Sequence, residues 1–139
     1  QITKKQLKMI LDLKHPLELT IDQSRILLCH GSPWDNNKYI YPDADIALFE
    51  KCADKEYDLV ILGHTHYPMH KLINSVLIIN PGSVGQSRDN TAEAKWASYN
   101  TKSKSISFHS EKYDATEIIE SVNKYDPHVK YLSNILKAK

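Results

Sequence analysis

The chain has no apolar stretch approaching the roughly 18 to 20 residues that a membrane-spanning helix needs, so we expect a soluble protein with no membrane partner. It also lacks an excess of charge of either sign: 18 basic and 17 acidic residues leave a formal net charge of +1. That balance gives no electrostatic pull on duplex nucleic acid, and a small substrate is expected instead. Cysteine is scarce. Cys29 lies within an apolar run and Cys52 within a helical pattern, and such a pair reads as buried reduced thiols, not as the disulfide framework of a secreted domain. The first residues, Gln1 to Gln6, do not show the charged-then-apolar layout of a signal peptide, and a cytoplasmic protein is expected. No internal repeat, low-complexity tract or Pro/Gly/Ser-rich linker divides the chain. Its 139 residues, 41% hydrophobic, are therefore read as a single domain, residues 1–139.

What is present is histidine in telling places. Gly63-His64-Thr65-His66 follows the apolar run Leu59-Val60-Ile61-Leu62, and His30-Gly31-Ser32-Pro33 follows Ile26-Leu27-Leu28-Cys29. Imidazole is the commonest protein ligand for a divalent transition metal, and three imidazoles held at strand ends can converge on one place.

Periodicity places these motifs. Leu7, Ile10 and Leu11 predict a helix over about residues 3–13, ended by His15-Pro16. Leu17 to Ile21 and Arg25 to Cys29 flank Asp22-Gln23-Ser24 and read as a hairpin. Ile46, Phe49 and Ala53 share a helical face after Pro42-Asp43. Asp58 to Leu62 has the near-continuous apolar pattern of a strand buried on both faces, and ligand sites in open α/β sheets favour the carboxyl edge to which it leads. Met69 to Ile73 and Val76 to Ile79 form a second hairpin about Asn74-Ser75, followed by the polar loop Asn80-Pro81-Gly82-Ser83-Val84-Gly85. Lys95 to Asn100 and Ser105 to Tyr113 alternate as strands. Asp114 and Glu117 resemble a capping box, and Asp126-Pro127 is read as the start of a last helix carrying Leu132, Ile135 and Leu136. The class is α/β, with paired strands and flanking helices.

Taken in order, His30-Gly31-Ser32-Pro33, Gly63-His64-Thr65-His66 and Asn80-Pro81-Gly82-Ser83-Val84-Gly85-Gln86-Ser87-Arg88-Asp89 resemble the second half of a calcineurin-like metallophosphoesterase, specifically the small bacterial and archaeal phosphodiesterase group. The resemblance runs from about Gln6 to the last helix. It implies a double β-sandwich flanked by helices, with two metal ions about 3.5 to 4 Å apart, drawn from manganese, iron, zinc and nickel. It further implies that His30 and His64 ligate one ion and His66 the other, and that water held between the ions attacks phosphorus. Neutral imidazoles would leave the charge of the ions free to polarise phosphoryl oxygens.

The chain departs from that pattern in one respect. The family's remaining ligands come from an earlier Asp-x-His, a Gly-Asp and a Gly-Asn-His/Asp motif, and the sequence contains no Gly-Asp or Gly-Asn dipeptide. Its one formal Asp-x-His, Asp126-Pro127-His128, sits where an N-cap explains it. The expectation is therefore an N-terminally truncated domain. These residues alone would show little phosphoesterase activity and would expose apolar sheet edges, which homo-oligomerisation could cover.

Asn80, Gly82 and Ser83 read either as a turn or, by the resemblance, as substrate-binding residues beside the metals, where backbone N–H groups of the glycine-containing loop could hold oxygens. Arg88 reads either as a phosphate-pairing fork or as an ion pair with Asp89. Trp34, Tyr39 and Tyr41 could stack a nucleobase or cover the sheet, with packing preferred for Tyr41. His15, His70, His109 and His128 are expected at surface or strand positions. The resemblance thus implies hydrolysis of a small phosphoester or nucleotide-like substrate, with a phosphodiester expected. The alternatives are a non-catalytic interaction scaffold of the same fold, against which the intact motifs argue, or a nucleotide pyrophosphatase or protein phosphatase using the same chemistry.

Overall fold

A computed structural model describes residues 2–137. Three neighbouring parallel strands organise it: β2 (Ser24–Leu28), β3 (Leu59–Ile61) and β5 (Val76–Asn80) lie side by side at the centre of a five-stranded sheet. β1 (Leu17–Ile21) flanks β2 and β4 (Met69–Ile73) flanks β5, both antiparallel, which gives the order β1-β2-β3-β5-β4. Both hairpins close through two residues with positive φ, Asp22-Gln23 (46° and 67°) and Asn74-Ser75 (50° and 72°). This is the twist-matched geometry that two-residue hairpins favour. It also explains why β2 begins at Ser24, inside the three-residue turn expected from sequence.

Side chains alternate across the sheet with period two. Leu27, Val60 and Ile78 share one register line and face α2 (Ile46–Cys52), against whose Phe49 and Cys52 they pack. Ile26, Leu59 and Ile79 face the other way. There they meet Ala97 and Tyr99 of β6 (Ala94–Asn100) and Ile106 of β7 (Ser105–Glu111), an antiparallel pair forming a second sheet. The architecture is therefore two facing β layers with helices outside them. β3 is buried on both faces, as its unbroken apolar run predicts.

The outer helices are less securely held. α1 (Lys4–Leu11) starts at a capping box formed by Thr3 and Gln6 and buries none of its residues. Asp12 is its C-cap, one residue short of the expected end at about residue 13. α3 (Thr116–Tyr125) also departs from expectation. Its N-cap is Ala115, and the Asp114 carboxylate accepts from the Thr116 N–H and hydroxyl, so no box with Glu117 forms. Asp126 ends α3 instead of opening the last helix: its N–H donates to Val122. α4 (Lys130–Asn134) begins three residues after Pro127. Exposed Leu19, Ile21 and Leu72 lie on the edge strands β1 and β4. No helix among the described residues is long and apolar enough to cross a membrane.

Candidate functional site

Register brings the three motifs together. The last aligned triplet is Leu28, Ile61 and Ile79; two residues further on, His30, Gly63 and Pro81 stand at one level of the carboxyl edge. The Gly63 N–H donates to the His30 carbonyl at 2.9 Å, which continues the ladder into the loops. Sequence spacings of 33 and 18 residues thus become one line across adjacent strands.

After β2 the chain turns sharply. A Cβ at Gly31 would lie 2.6 Å from the Asn36 carbonyl oxygen, so only glycine lets the loop fold back this closely. Ser32 is buried, and its hydroxyl donates to the Asp35 carbonyl while accepting the Asp35 N–H. This loop delivers Tyr39, whose ring lies 3.9 Å, centroid to centroid, from that of His64.

After β3 the backbone is strained. His64 and His66 have φ of 63° and 61°, a left-handed conformation that bulky residues rarely adopt and that clusters at functional sites. Between them Thr65 is fully buried, its N–H bonded to the Gly63 carbonyl at 2.7 Å. Burying Thr65 turns both neighbouring imidazoles outward.

The imidazoles are then fixed individually. His64 Nδ1 lies 2.9 Å from His30 Nε2. His66 Nδ1 lies 2.8 Å from the Gln86 carbonyl oxygen; the carbonyl can only accept, so Nδ1 carries the proton and Nε2 keeps a lone pair. Burial, followed by the charges of His30, Arg88 and His66, lowers the pKa of His64. The neutral imidazole is thereby favoured.

The loop after β5 supports this arrangement from below. Asn80 is buried, with every side-chain polar atom engaged: Nδ2 donates to the Gly63 carbonyl at 2.8 Å and to the Thr65 hydroxyl at 3.0 Å, and Oδ1 accepts the Gly82 N–H at 2.9 Å. Gly82 has φ of 89°, and a Cβ there would meet Lys95 Cβ at 2.8 Å. Ser83 accepts the Gln86 N–H on its hydroxyl and the Lys95 N–H on its carbonyl. Arg88 is partly buried beside Tyr39 and Tyr131, and its Nε is buried without a hydrogen-bond partner. Of the two readings of Arg88, the surface pair with Asp89 does not form. Asp89 pairs with the Lys95 ammonium at 3.2 Å. Burial alone would raise the Asp89 pKa, but hydrogen bonds from Ser87, Thr91 and Lys95 outweigh it and hold the carboxyl at about 2.

The other histidines stay apart from this edge. His15, His70 and His128 are exposed, and His109 stacks on Trp96 with its Nε2 3.0 Å from the Ser98 hydroxyl. Trp34 carries the Lys51 ammonium 4.0 Å from its ring centroid and so rests on α2. The placement of Tyr39 on His64, the inward turn of Asn80 and the Lys95 clamp had no counterpart in the sequence reading; each depends on a residue distant in sequence or on a backbone angle.

The donor set fits a metal in part. His64 Nδ1 and His30 Nε2, on adjacent strand ends, hydrogen-bond to each other; to share an ion they would give up that bond and move to the roughly 3.3 Å separation that tetrahedral coordination at imidazole bond lengths requires. A backbone carbonyl fixing the other nitrogen of His66 is a common support for a ligating histidine. The anionic ligands are missing: among the described residues no three His, Cys, Asp or Glu side chains form a metal-holding group. The fit is confined to imidazole donors.

Fold and site define an α/β domain of two facing sheets that gathers loop histidines at the carboxyl edge of parallel strands. The chain belongs to the calcineurin-like phosphoesterase superfamily, whose domain model matches residues 2–104. An uncharacterized protein of Methanocaldococcus jannaschii, MJ0912, is 26% identical over 143 residues, covering 88% of this chain and 56% of that protein. The crystal structure of hypothetical protein PH1004 from Pyrococcus horikoshii superposes with a TM-score of 0.80 at 24% identity, covering 94% of this chain and 53% of that one. A metallophosphoesterase from Sphaerobacter thermophilus gives 0.79 at 24% identity, covering 98% and 62%. The two structures establish the shared fold. This chain spans a little over half the length of these relatives.

Proposed function

We propose that the complete protein hydrolyses a phosphoester, with a phosphodiester as the expected substrate, in a metal-dependent reaction at the carboxyl edge of β2, β3 and β5. The observation that carries this reading is the pair of opposed imidazole nitrogens, His30 Nε2 and His64 Nδ1, 2.9 Å apart beside a strained backbone. Strain of this kind costs about 1 to 3 kcal/mol per residue and persists where the surrounding structure enforces it; here Thr65 and Asn80 do so.

Family membership supports His30, His64 and His66 as the ligands, with His30 and His64 on one divalent ion and His66 on a second. Divalent ions held there would polarise phosphoryl oxygens and acidify water. The remaining work belongs to the chain. The Gln86 carbonyl keeps the proton of His66 on Nδ1, and Asn80 holds the Gly63 and Gly82 loops at a fixed separation. The Arg88 guanidinium, which has a donor to spare, supplies positive charge for a phosphate oxygen. The carboxylate ligands would come from chain outside these residues. Two buried thiols and an unremarkable charge suit a reducing cytoplasm.

The test is metal content together with hydrolysis of bis-p-nitrophenyl phosphate under added Mn²⁺, for this chain and for a longer chain bearing the carboxylate motifs. Hydrolysis by the longer chain alone is the expected result. A longer chain that carried those carboxylates yet bound no metal and hydrolysed nothing would overturn the reading in favour of a scaffold.

A further inference from the structure

A line of aromatic rings leads away from the paired histidines. Tyr39 lies on His64 at 3.9 Å between centroids, Tyr41 stacks with Tyr39 at 5.7 Å and an interplanar angle of 11°, and Tyr67 meets Tyr41 edge-on at 5.9 Å. Beyond them opens a cavity of about 420 Å³, lined by Tyr41, Pro42, Asp43 and Tyr67, within the size range of small-ligand sites. Its two aromatic walls come from different motifs. Tyr67 directly follows His66, and Tyr41 lies two residues after the tyrosine that covers His64.

Packing on one another covers these rings only in part: Tyr67 is half-buried, and Tyr39 and Tyr41 remain 43% and 38% exposed. The core beneath the loop is already closed by fully buried Ile40. Tyrosine at an open site offers a flat π-face at low entropic cost. Asp43 supplies the cavity's one charged group, and an ionised carboxylate only accepts hydrogen bonds. Flat aromatic walls beside an acceptor-only group match a planar heterocycle carrying an amino group, in preference to a sugar or an aliphatic chain.

We propose that the cavity walled by Tyr41 and Tyr67 binds the nucleobase of a nucleotide-bearing phosphoester while its phosphate lies at the histidines. This deepens the phosphoester reading and rests on it. Stacking on aromatic side chains is sequence-tolerant and strengthens binding by about 5- to 150-fold per base.

The experiment is isothermal titration of the longer chain bearing the carboxylate motifs, loaded with Mn²⁺, with AMP and with ribose 5-phosphate, which share the phosphate and differ by the base. AMP is expected to bind at least about fivefold more tightly. Tyr41→Leu should remove that difference and Tyr41→Phe should keep it, with thermal unfolding checking that both variants fold. Equal affinity for the two ligands, no binding of AMP, or an undiminished difference in folded Tyr41→Leu would each overturn the proposal. The wild-type comparison decides without any variant. Equal affinity would leave hydrolysis of bis-p-nitrophenyl phosphate untouched, whereas failure of the phosphoester reading would appear in that hydrolysis and in metal content.

Discussion

The two ends of the same three parallel strands are built on opposite electrostatic terms. At the amino end charges are closed off in pairs: Asp58 accepts the Arg25 N–H at 2.9 Å and the Lys104 ammonium at 2.5 Å, and the Arg25 guanidinium meets Glu56 at 3.1 Å. At the carboxyl end imidazole nitrogens face one another, two histidines sit in left-handed backbone and Arg88 Nε has no partner. One end uses its polar groups to hold the fold. The other holds its imidazoles by single hydrogen bonds that a ligand could replace and leaves the Arg88 Nε donor unspent.

The sharpest way to break this comparison is His64→Gly. Glycine adopts a φ of 63° without strain, so metal affinity of the longer chain should fall at least about 100-fold while stability stays level or rises by about 1 kcal/mol. Metal titration and thermal unfolding read the two effects; retained affinity with a large loss of stability would show the carboxyl end to be structural like its counterpart. Next comes Asn80→Ala, which leaves the Gly63 carbonyl, the Thr65 hydroxyl and the Gly82 N–H without their shared partner. Urea unfolding should show a loss of about 3 kcal/mol.

Acid provides a third, smaller effect. The carboxyl of Asp89 titrates at about 2 in the folded chain and near 3.8 when free, so its stabilisation, about 2 kcal/mol, is fully present above about pH 4 and is lost as the pH falls towards 2. Lys95→Met removes the paired ammonium and should raise the pH midpoint of acid unfolding, followed by circular dichroism. The smallest change is expected from Asp58→Asn at the amino end. Its partner Lys104 is exposed and pairs open to solvent contribute little, so the melting temperature should drop by only a few degrees and metal binding should not change. A large loss of metal affinity there would mean that the two ends are coupled.

How much of this could be read from sequence divides along the same line. Apolar runs ending in His30 and in His64-Thr65-His66 disclosed both the strands and the residues presented at their ends, because period-two burial and loop histidines are local signals. The adjacency of β3 and β5, with β4 pushed to the edge, is a matter of long-range pairing and leaves no local trace. Asn80 looked like a loop residue available to substrate, since nothing in Asn80-Pro81-Gly82 reveals that its side chain turns inward to hold Gly63 and Thr65. Asp114 stands one residue before the N-cap of α3, and Asp126 closes α3 instead of opening the next helix; exact helix ends are the least local part of the pattern.

The burial of Cys29 gives the site a built-in clock. This thiol immediately precedes His30, and burial pushes its pKa to about 12, as burial pushes Cys52 to about 11. Neither sulfur reacts while β2 and α2 remain closed over them, because the thiolate is the reactive form and both access and ionisation are denied. Alkylation at neutral pH therefore proceeds only through openings of the sheet beneath the histidines, and its rate measures how often that floor gives way.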